Sequence, residues 1–179
     1  MAGKGPILSD KLISLPEPKR SCGTCTACCT VMGIEELDKP AGVPCEKLCA
    51  KGCSIYETKP PSCTDFKCVW LIDNESKLFR ENERPDRIGI MFDHSYPATP
   101  TAQAIVDACG GAMVIARETR PGAFHEPRAW AMLTRIAQMA VVILVKVGGT
   151  AGATSEARKI MGPEDLVRAI HRIMNREGS

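Results

Sequence analysis

Nine of the ten cysteines of this 179-residue chain fall between Cys22 and Cys68, and no other feature limits its folding as strongly. That stretch carries few large aliphatic side chains. A segment so poor in apolar volume cannot build a conventional core and needs covalent or metal staples to hold a shape. Loops and short turns are expected there, with a short helix over Gly33–Lys39 as the one regular element.

The staple depends on compartment. The first twenty residues, MAGKGPILSDKLISLPEPKR, contain no continuous apolar stretch of the signal-peptide kind. The longest strongly apolar run, Met139–Val145, ends at Lys146, far short of a membrane span. The expectation is a cytoplasmic chain with no membrane partner. Thiols stay reduced there, so clustered cysteines point to metal or redox chemistry ahead of disulfides.

The cysteines come in two groups. The first is Cys22-x-x-Cys25-x-x-Cys28-Cys29. Two residues between cysteines allow a tight turn to aim both sulfurs at one ion, and three in that rhythm also match the opening of a ferredoxin-type loop. In an extended stretch the adjacent Cys28 and Cys29 point opposite ways, so the two can serve different ions or one of them can bridge. The second group is Cys45, Cys49, Cys53, Cys63 and Cys68, with Pro60 and Pro61 stiffening one loop and Gly52 suited to a left-handed turn.

With these residues the stretch of about 22–72 resembles the cysteine-cluster family named for its CxxCxxCC motif and described as zinc- or iron-chelating. The likeness runs through Cys45, Cys53-Ser54-Ile55-Tyr56-Glu57, Pro60, Cys63 and Phe66-Lys67-Cys68. Lys59 and Thr64 stand where the family has arginines, and Cys49 has no counterpart in the pattern. The resemblance implies that Cys22, Cys25, Cys28, Cys29, Cys45, Cys53, Cys63 and Cys68 are metal ligands. Eight thiolates can close two four-coordinate sites, or hold one iron–sulfur cluster and a zinc ion. Thiolates accept zinc, iron–sulfur clusters and copper(I), so ligand type does not choose among them.

Two functions follow as expectations. One is chelation of zinc or iron in a structural or metal-handling role. The alternative is an iron–sulfur-dependent redox or transferase enzyme. A closed site distinguishes the first and an open coordination position the second. Nucleic acid is an unsuitable partner, because 23 basic and 21 acidic residues are evenly spread and aromatics make up only 4% of the chain. No protein partner is indicated. No phosphate-binding, dinucleotide-binding, zinc-protease or hydrolase motif is present.

The expected fold is α+β: a lead-in over residues 1–21, an irregular metal-binding module over 22–72, and a mixed strand–helix unit over 73–179. Val69–Ile72 is expected to pack the module onto its neighbour. In the third part, Arg87–Asp93 alternates as a strand and Ala112–Glu118 reads as another, with Ala104–Ala108 pairing across Gly110–Gly111. A helix is expected over about residues 127–140 behind Pro127, a buried strand over Val141–Val147, a loop over Gly148–Ser155, and a last helix after Pro163. Cys109 reads as a small buried hydrophobe, Asp93–His94 as a turn after a strand, and His171 as solvent-facing.

Overall fold

A computed structural model describes residues 20–73, 78–94, 99–145 and 159–176. The fold class is α+β. The expected loop Gly148–Ser155, the end of the Val141–Val147 run and nearly all of the lead-in lie outside the described residues.

The cysteine-rich stretch is built of small pieces. Helix α1 (Ala27–Val31) carries Cys28 and Cys29, and a single 3-10 turn, Glu35–Leu37, replaces the helix expected over Gly33–Lys39. Asp38 ends that turn in the left-handed region, and the Ile34–Lys39 bridge closes it. Strands β1 (Leu48–Cys49) and β2 (Gly52–Cys53) form a two-residue hairpin, with Gly52 at φ +114°. Helices α2 (Pro61–Asp65) and α3 (Val69–Ile72) follow, the first opened by Pro61, whose fixed φ suits a first helical turn.

The rest is a four-stranded sheet flanked by helices. Helix α4 (Pro85–Ile88) leads through Gly89 into β3 (Ile90–Asp93). Helix α5 (Pro100–Ala108), capped by the Thr99 hydroxyl, precedes β4 (Met113–Glu118). Helix α6 (Pro127–Ala137) crosses over to β5 (Val141–Val145), and β6 (Lys159–Met161) precedes α7 (Glu164–Arg176). The order is β3-β4-β5-β6, with β4 and β5 parallel and both outer pairs antiparallel.

Two further expectations are corrected. Ala104–Ala108 is helical and pairs with no strand; Thr99 and Pro100 form a helix start, which outweighs the Gly110–Gly111 turn signal. The strand expected from Arg87 begins at Ile90, because Pro85 starts a helical turn that Gly89 ends at φ +74°. The alternating Ile88, Ile90 and Phe92 are nevertheless all buried in the main core.

Register explains the layers. Phe92, Ala116 and Leu144 align across three strands, as do Val114, Val142 and Met161. These rows meet Ala129, Met132, Leu133 and Ile136 of α6, together with Trp70 and Leu71 of α3. A second core joins Ile105 and Cys109 with Met113, Val141 and Ile170 of α7. A third, smaller one sets Met91 of β3 against Ala27 and Val31 of α1. The Val69–Ile72 patch therefore does join the two parts, by placing α3 inside the core of the sheet.

Candidate metal centre

Six of the eight candidate ligands, Cys22, Cys25, Cys28, Cys29, Cys53 and Cys63, line one cavity of about 730 Å³. Among the described residues no carboxylate lines it, whereas Arg20, Lys51, Lys59 and Lys67 do. All eight are free, half-buried thiols. Among the described residues, no group of three or more cysteines, histidines or carboxylates is arranged as a ready-made metal cage.

The thiols divide by surroundings. Cys22 and Cys68 pack against the main core; Cys25, Cys28 and Cys68 pack against the small core around Met91. Cys29, Cys45, Cys53 and Cys63 pack against none of these cores. Cys68 feels Cys22 and Cys25, and Cys63 feels Cys29, Cys45 and Cys53, while Cys28 and Cys29 share a side-chain hydrogen bond and Cys22 also lies in the field of Cys29. The backbone holds Cys45 beside Cys29, with the Cys45 N–H donating to the Cys29 carbonyl at 3.0 Å.

Helix α1 produces the division. Cys28 and Cys29 occupy consecutive helical positions, and at 3.6 residues per turn their side chains diverge by about 100°. Ala27 and Val31 bury one side of the helix. Cys28 joins that apolar side, and Cys29 lies near Cys45 and Cys63. The pair is helical rather than extended, and a side-chain hydrogen bond joins the two sulfurs, although only Cys28 packs against an apolar core.

Burial pushes the thiols of Cys22 and Cys25 up from their ordinary range, and drives Cys68 up to about 12. Lys59 and Arg84 oppose the effect at Cys22. Cys63 is raised by burial and then by the charge of Cys29. Within the adjacent pair, Cys28 keeps its proton against the Cys29 sulfur and is pushed up; Cys29, facing that thiol, falls to about 6.

The α+β unit braces the first loop. Arg84 holds Asp86 through two bonds of 2.7 and 2.8 Å and also donates to the Cys22 carbonyl and the Thr24 hydroxyl. Asp86, whose carboxyl Arg84 keeps below its usual range, faces the Cys25 thiol. Arg20 donates to the carbonyls of Trp70 and Phe79 at 2.7 Å each and stacks 5.0 Å from the Trp70 ring.

Lys39 is a site residue that sequence reasoning missed. It is only 8% exposed. Its ammonium donates to the carbonyls of Met32 and Pro40, and Cys45, Cys29, Cys28 and Cys63 lie in its field. Burial pulls its pKa down and those sulfurs push it up. Nothing in Asp38-Lys39-Pro40 marks that burial, which comes from the folding-back of the loop. Lys59, in the position of a family arginine, lies 4.2 Å over the Tyr56 ring and within the field of Cys22 and Cys29.

The remaining candidates are accounted for locally. Cys49 is exposed on the hairpin, and Cys109 is buried between α5 and α7 as expected. Asp93 is buried and paired with Arg117 at 3.0 Å. Arg120 is tied to Glu126 at the turn that follows β4. His171 is exposed on α7. None of the described helices is long and apolar enough to cross a membrane. Comparison with protein-family models, with curated proteins and with solved structures finds no match to this chain.

Proposed function

We propose that this protein binds metal ions, zinc or iron, through Cys22, Cys25, Cys28, Cys29, Cys45, Cys53, Cys63 and Cys68, in a structural or metal-handling role. The observation that carries the reading is convergence. Cysteines 41 residues apart in sequence, from Cys22 to Cys63, line one cavity that has basic residues and, among the described residues, no carboxylates. An apolar-lined thiol cluster of this size is a set of soft donors, suited to zinc or an iron–sulfur cluster. The basic residues offset the negative charge that such thiolates carry once they are deprotonated by the metal. Without a metal, the thiols raised by burial are simply neutral and the loops have little to hold them. The resemblance to the CxxCxxCC proteins supports the same assignment.

The test is anaerobic purification followed by elemental analysis and an absorption spectrum. Zinc bound with no visible absorption, or iron with visible thiolate-to-iron charge-transfer bands, is the expected outcome. A fully reduced chain that carries no metal and takes up neither zinc nor ferrous iron overturns the proposal.

A further inference from the structure

The metal-binding reading treats the eight cysteines as one set; their packing does not. We propose, on the basis of that reading, that they form two inequivalent centres: an inner one of Cys22, Cys25, Cys28 and Cys68 that holds a resident structural ion, and an outer one of Cys29, Cys45, Cys53 and Cys63 whose ion exchanges with thiolate ligands from solution.

Each inner cysteine packs against an apolar cluster that contains residues of the sheet. Cys68 touches both clusters and sits directly before α3, whose Trp70 and Leu71 are buried in the main core. Opening this quartet separates α1 from Met91 and disturbs α3. None of the outer cysteines packs against those clusters: Cys29 shares α1 with Cys28 and is hydrogen-bonded to its thiol, Cys45 lies in a turn, Cys53 is on a two-residue hairpin and Cys63 is in the five-residue α2. Local opening is easiest where few apolar contacts must break, so the outer ion is released by motion of the segment that carries Cys45, Cys53 and Cys63, with Cys29 left in place on α1. The division also uses both halves of the motif twice, since each quartet takes ligands from before Cys45 and from Cys45 onward. The exchangeable ion then suits handing to another thiolate acceptor, while the resident one keeps the module docked.

The test uses the full-length protein loaded with zinc under reducing conditions and a chromogenic chelator in excess. Two release phases of equal amplitude are expected, with the faster at least about tenfold quicker, the difference that roughly 1.4 kcal/mol of extra opening energy produces. The double variant Cys53→Ser/Cys63→Ser should lose the fast phase and keep one slowly released ion. Hydrogen exchange on wild-type protein stopped after the fast phase should show Trp70, Leu71 and Met91 still protected, a readout that does not depend on any variant folding. Release of both ions in one phase, loss of both ions from the double variant, or exposure of α3 after the fast phase overturns the division. A chain that binds no zinc fails earlier and overturns the metal reading itself.

Discussion

Gly89 shows how closely single residues are constrained at the junction of α4 and β3. It adopts φ +74°, and a Cβ there would lie 2.7 Å from the Ala123 Cβ and 2.0 Å from an Arg120 guanidinium nitrogen. Arg120 can swing away; Ala123, fully buried, cannot. Gly89→Ala should therefore destabilise the protein by about 1–3 kcal/mol from backbone strain alone, measured as a lowered urea midpoint. Glu83 is a second such residue. Its carboxylate accepts two bonds from Arg135, at 2.7 and 2.6 Å, and one from the Arg80 N–H at 2.8 Å. Glu83→Gln keeps the shape but leaves Arg135 short of its counter-charge. The expected loss is about 3 kcal/mol, the lower end for breaking a buried pair, because Arg135 retains 28% exposure. Arg135→Met in the Glu83→Gln background should recover part of that loss, which equilibrium unfolding of the four variants would measure.

At the scale of elements, the sheet depends on helices that approach it from different sides. Helix α7 is strongly amphipathic and buries Ile170 completely against Val141, Ile105 and Met113. Its contact with α5 closes the second core. Ile170→Ala should cost about 2–5 kcal/mol through the cavity it leaves, seen as a fall in thermal midpoint. Replacement of the exposed His171 next to it should leave that midpoint unchanged. Helix α3 works across the boundary between the cysteine-rich stretch and the sheet. It is only four residues long, but its Trp70 indole N–H donates to the Arg80 carbonyl at 3.1 Å while the ring joins the main core. A helix this short has no stability of its own and exists because of that packing.

For the molecule as a whole, the described apolar cores belong to the sheet and to its contacts with α1 and α3, while the stretch from Gly33 to Asp65 contributes to none of them. Removal of metal by a chelator should therefore abolish amide protection mainly between Gly33 and Asp65. Strands β3 to β5 and helix α6 should stay protected, while α1 and α3 lose protection only once the slower ion leaves as well. Hydrogen exchange before and after chelation checks this, and uniform loss across β3–β5 would show one shared folding unit. The sequence by itself determined the class of the chain and the reach of its cysteine cluster. Proline, glycine and apolar spacing act locally, which is why α6, α7, β4 and β5 could be read within a few residues. Ala104–Ala108 was misread because the Thr99–Pro100 helix start competes with a turn signal, and propensity alone does not rank them. The thiol-rich stretch was legible as a cluster because cysteine spacing is a local property. Which sulfur faces which was not, since it depends on the turn of α1, on a sheet residue, Met91, about 60 positions away in the chain, and on the fold-back that buries Lys39. Those are long-range contacts, and only the tertiary structure decides them, because a side chain's neighbours are set by packing between distant segments rather than by its own place in the sequence.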